Sequence, residues 1–284
     1  MLYIFQILNG LGLGMIYFLI SVGLTIIFGL LNFVNFAHGA FFMVGGYLCY
    51  SLVALTGSFW ISLLIGPLIV AFLAWVSEKT LFHRIYHLPH TFHILVTVGI
   101  ALILQESAII IWGPIGKNIA VPQELQGVVT LWSFAYPVYR LFLIAFTIVI
   151  GMILWFLLER TRFGALVRAG SESAEMVSLL GVNIHRLFAQ TFALGVGLAG
   201  LAGILSAPIR GVHPFMGVEV LGIAFVVVVI GGMGSFIGAL MGGLMVGLVQ
   251  SVMSTVWPEG ASLMIYGAMA AVILLRPYGL FGRA

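Results

Sequence analysis

The sequence predicts an all-α, polytopic transmembrane helical bundle of about eight or nine membrane segments. Two observations carry that prediction. Hydrophobic residues make up 62% of the 284 positions and charged residues only 7%, with a mean hydropathy of +1.23, whereas a soluble domain carries about 25% charged residues. The polar side chains are too few to cover a water-facing surface, and crossings of about 20 residues with short connections fill the chain. We read residues 1–284 as a single transmembrane domain, with no room for a soluble catalytic or nucleotide-binding domain.

The elements follow in order. No charge occurs between Met1 and Ser77; breaks at Leu31–Ala37 and Thr56–Phe59 divide this stretch into spans near 9–31, 37–55 and 59–77. The opening lacks the basic n-region of a cleavable signal and is expected to stay as a membrane segment. Glu78, Lys79 and Arg84, with His83, His87 and His90, form a polar loop before a fourth span near 92–112. Pro114, Pro122 and Pro137 with Trp132 and Tyr136 then mark turns and interfacial aromatics. A fifth span runs near 138–158, and Glu159–Arg186 holds the densest charge, so the positive-inside rule makes it cytoplasmic. Spans near 187–207, 218–232, 235–256 and 261–275 complete the count. Counting outward puts the 78–90 loop and the basic tail through Arg283 inside and the N-terminus outside. Gly231-Gly232-Met233-Gly234 reads as a tight turn, a re-entrant segment or a broken helix.

Enzyme and metal signatures are lacking. Neither lysine sits in a Walker A motif. His83 and His87 are four apart, with His90 and His93 nearby, but without a carboxylate at the general-base position they read as a polar loop. Cys49 is the one cysteine, so no disulfide framework or CxxC motif exists. Eleven basic residues against eight acidic are too sparse for a nucleic-acid surface. No metal or cofactor site is expected in this chain.

Polar residues at membrane depth are the pathway candidates. Asn32, Asn35 and His38 share a face if helical, and Gly39 would permit an unwound or closely packed backbone; a structural break between spans is the alternative. Gln105 and Glu106 lie in the fourth span, where a headgroup-level pairing of Glu106 is the alternative to a polar path. Gly234, Gly238 and Gly242 form a small-residue stripe for helix packing or for a subunit interface. Within a coupling segment of about 165–183, Arg168 and Glu172 precede a short amphipathic helix containing Glu175, Met176 and Leu179 and ending at Gly181; a partner groove or the headgroup layer would receive its apolar face.

Four stretches resemble the permease subunits of branched-chain amino-acid type ABC importers. They are Asn35-Phe36-Ala37-His38-Gly39, Thr97 to Gln105, Gly231 to Ala239, and Arg276-Pro277-Tyr278-Gly279-Leu280-Phe281-Gly282. Glu175 to Gly181 has the Glu-to-Gly spacing of that family's coupling helix. Ala40 and Ile237 stand where an acidic residue and a proline are frequent, which leaves the substrate open: a branched-chain amino acid, urea or a short amide. The resemblance implies a bacterial inner-membrane complex with a second homologous permease, two cytoplasmic ATPases that use ATP and Mg, and a periplasmic solute-binding protein. An ion-coupled secondary transporter is the rival, and it requires internal carboxylates beyond Glu106.

Overall fold

A computed structural model describes residues 2–86, 88–131 and 134–282; His87, Trp132 and Arg283 lie outside these residues. The described chain is a helical bundle: α1 (Leu2–Leu31), α2 (His38–Thr56), α3 (Phe59–Thr80), α4 (His90–Trp112), α5 (Val138–Arg160), α6 (Arg162–Glu172), α7 (Ala174–Leu179), α8 (Ile184–Arg210), α9 (Met216–Gly231), α10 (Phe236–Val256) and α11 (Ala261–Leu275). Eight of the helical segments are long and apolar enough to cross a membrane, and α9 is shorter. A two-stranded antiparallel hairpin, β1 (Val128–Leu131) and β2 (Phe134–Pro137), precedes α5.

α1 is the central element. It packs against α10 where Gly10, Gly14, Gly243 and Gly247 let the backbones touch, and against α8 where Gly23 meets Gly195. Without a hydrophobic drive between helices in lipid, such close backbone contact supplies dispersion energy in its place. The stripe Gly238 and Gly242 faces α9, against the carbonyls of Gly231 and Val227, while Gly234 sits near Gly29. The stripe therefore serves packing within the chain.

The loops expected on one membrane side do meet at one end. Phe33 stacks on Phe82, Tyr86 packs edge-on against Phe188, and Leu30 joins Val167 and Leu187 in one apolar cluster. At this end Tyr86 donates to Glu78 Oε1 at 2.8 Å, and burial, with the adjacent carboxylate, pushes the Tyr86 phenol far above its ordinary range. Toward the opposite end Trp112 Nε1 donates to Ser51 Oγ at 2.7 Å, and the chain beyond α4 reaches Val212 through Lys117.

Two segments depart from simple crossings. The segment between α1 and α2 is not helical, so Asn32, Asn35 and His38 do not share a helical face and the chain takes the alternative, a break between two spans. His38 lies beside Ile20, so residues 32–37 climb back along α1 by about 16 Å at 1.5 Å per residue. The crossing expected at 218–232 is the 16-residue α9, about 24 Å long, which starts inside the bundle: Gly46, ten residues before the end of α2, faces Val212 and Met216.

Candidate functional site

Where α2, α4 and α9 approach, a cavity of about 200 Å³ opens. It is lined by Phe36, Ala40 and Met43, by Val98, Ala101, Leu102 and Gln105, and by Pro214, Gly217, Val218 and Leu221. Val98 to Gln105 are the middle turns of the 23-residue α4, so the cavity sits at mid-depth of that span. Gly39 and Gly217 bring α2 and α9 together beside it. A Cβ on Gly39 would overlap the Gly217 carbonyl oxygen, and one on Gly217 would stand 2.7 Å from the Gly39 oxygen. Gln105 supplies one polar wall; the other lining side chains are apolar.

The remaining polar candidates occupy other places. Asn32, at φ +53°, ends α1 in the left-handed conformation, its N–H donating to Phe28 O at 2.9 Å; asparagine tolerates this conformation better than most residues. Asn35 is buried, and its Oδ1 accepts from Ala37 N at 3.0 Å. His38 is buried as well, its Nε2 donating to Ile20 O at 2.9 Å. Asn35 shapes the unwound segment from within and His38 fastens it to α1, which satisfies the requirement that irregular backbone at membrane depth be enclosed by protein. Glu106 points outward from α4, next to Gln105 in sequence but not on the cavity wall.

The coupling segment folds as two helices where one was expected. Thr161 caps α6, accepting from Gly164 N, and Ser173 breaks the chain and caps α7, accepting from Met176 N at 3.2 Å. Capping of this kind stabilises a helix start by about 1 kcal/mol. Arg168 turns back toward α5, bonding to Leu158 O and lying 3.4 Å from Glu159, while Glu172 ends α6. On α7, Val177 is buried, and Glu175, Met176 and Leu179 are exposed. Leu180 follows at 83% exposure, and Gly181 closes the helix at φ +85°, donating to Ser178 O. Gly170 faces Leu30 of α1, so α6 rests on the central helix and α7 follows it after Ser173.

Residues 6–274 match the family described as branched-chain amino acid transport system / permease component. The chain belongs to this family. Among curated relatives, this permease is 29% identical to the high-affinity branched-chain amino acid transport system permease protein BraD of Pseudomonas aeruginosa, over 99% of this chain and 96% of that one. It is 28% identical to the corresponding LivH protein of Escherichia coli K12, over 98% and 95%. A solved structure, PsaBC from Streptococcus pneumoniae in complex with Fab, aligns with 94% of the permease and 89% of that chain at 12% identity and a TM-score of 0.48.

Sequence reasoning missed three parts of these sites: α6, the half-depth start of α9, and the pair His213 and Glu219 at that start. The last two were legible only as a weak signal, a His just before α9 and a Glu in its first turn.

Proposed function

We propose that this permease is the membrane subunit of an ATP-driven ABC importer that carries branched-chain amino acids across the bacterial inner membrane. It works with a second homologous permease, two cytoplasmic ATPases that use ATP and Mg, and a periplasmic binding protein that selects the solute. The chain itself performs no chemistry. Its N-terminus is periplasmic, and the basic end carrying α6, α7 and the tail is cytoplasmic, in keeping with the positive-inside rule.

The observation that carries this reading is the exposed apolar face of Met176 and Leu179 on capped α7, with Leu180 at its end, which follows α6, the helix that meets α1 through Gly170 and Leu30. Exposed side chains of this kind fit a groove on a partner. Closure of the ATPase pair would displace α6 and α7, and α1 would pass the displacement to α8, α9 and α10. Two global states connected by such a lever are what alternating access requires. The mid-depth cavity suits an aliphatic side chain, since apolar walls with one amide hold it weakly and leave selection to the binding protein.

The test is a reconstituted complex carrying Glu175→Ala or Gly181→Ala. ATP hydrolysis should continue while leucine uptake falls at least tenfold; unchanged coupling in both variants rejects the lever.

A further inference from the structure

Glu219 stands in the first turn of α9, one residue beyond Val218 of the cavity wall. Because the cavity spans the middle turns of α4, this carboxylate lies at mid-depth of the bundle. Its side chain is 64% exposed, and among the described residues its one ionic partner is His213 Nε2 at 3.8 Å. That separation exceeds a hydrogen bond, so the carboxylate keeps its acceptor capacity. Arg210, the nearest arginine in sequence, is engaged with Tyr17 Oη at 2.9 Å.

A carboxylate in the middle of a membrane is expensive when it faces hydrocarbon, and such groups face water-filled cavities or protein instead. The open side of α9, with Val218 and Glu219 and the preceding Phe215, therefore requires water or protein against it in the membrane. An amino acid in transit must leave its ammonium group without hydration at this depth unless an acceptor replaces the water. One carboxylate beside an apolar cavity matches a zwitterion whose ammonium meets the charge while its aliphatic side chain enters the cavity. We propose that Glu219 receives the α-ammonium group of the transported amino acid, with its side chain between Val218, Leu102 and Met43. His213, near the same carboxylate, replaces the ammonium in part when the amino acid moves on, which keeps binding weak enough for release. The assignment rests on the transport reading above.

The experiment uses the complete transporter in proteoliposomes with its binding protein. Glu219→Gln should lower leucine uptake at least tenfold with ATP hydrolysis retained, and Glu219→Asp should restore a substantial part of it. Undiminished uptake by Glu219→Gln overturns the assignment. Should that variant fail to assemble, Glu219→Cys decides: a cationic, water-borne thiol reagent should modify it, and millimolar leucine should slow the modification. The native Cys49 is buried and gives a low background. A site that stays unmodified, or whose modification ignores leucine, also overturns the assignment. A wild-type complex that takes up no leucine, isoleucine or valine rejects the transport reading itself.

Discussion

The amide of Leu280 donates to the carbonyl oxygen of Ile230 at 2.8 Å, and that of Phe281 to Gly231 at 3.0 Å. The tail after α11 is thus clasped to the turn between α9 and α10. Both segments carry motifs of the family, and their backbones meet because Gly232 and Gly279, each with positive φ, leave no side chain between them.

Gly232→Ala should loosen this clasp. The substitution combines a left-handed strain of about 1–2 kcal/mol with a methyl group driven into Gly282. A lowered midpoint for detergent thermal inactivation, followed by size-exclusion chromatography, is the expected result; an unchanged midpoint would show that the tail contributes nothing.

Gly39→Ala and Gly217→Ala should each reduce the yield of folded permease, because the new methyl meets backbone of the facing helix and neither side can give way. Overpacking of this type costs about 1–3 kcal/mol. Gly99→Ala is the matched control, since nothing lies within 4 Å of a Cβ there. Membrane yield of the three variants distinguishes close packing from glycine content alone.

His38→Ala should fail as a structural variant. It removes the second bond to Ile20 O, which as part of α1 keeps its intrahelical one, and empties the buried space of the imidazole, at a cost of about 1–3 kcal/mol. Uptake per folded complex is expected to stay within a few-fold of wild type, while the amount of folded complex falls. A fully folded His38→Ala complex that cannot transport would return this histidine to the path.

Leu179→Asp and Val177→Asp should separate docking from folding. Leu179 is 75% exposed and Val177 is 4% exposed. The first variant should therefore purify normally but lose its ATPase partners, and the second should misfold. Co-purification of ATPases with Leu179→Asp at wild-type levels would remove α7 from the interface.

Much of the fold was legible because crossing a membrane leaves long apolar runs. The expected fourth span near 92–112 is α4 over His90–Trp112, and the eighth near 235–256 is α10 over Phe236–Val256. Composition reports length but not depth. Nothing in the run from Met216 to Gly231 says that its first turn sits beside the middle of α4, so Glu219 was not singled out. The same limit affected Asn35 and His38. Polarity at depth singled them out, but whether such a group lines a path or fastens an unwound strand depends on which carbonyl lies opposite, and Ile20 is distant in sequence. α6 escaped notice because Gly164 and Gly170 weaken its helical signal, and both are required by packing. A Cβ on Gly164 would overlap the Leu158 carbonyl, and one on Gly170 would meet Leu30.

The short α9 also bears on how the chain sits in its membrane. A helix of 16 residues falls below the length that inserts stably as an independent span. Its neighbour α10 is long enough, and Gly231 at the end of α9 lies against Gly238 of α10 through bare backbone. α9 is then held in the membrane by its backbone contact with α10 rather than by its own length. Loss of the contact between Gly231 and Gly238 would leave α9 with too little apolar length to keep its place among the crossings.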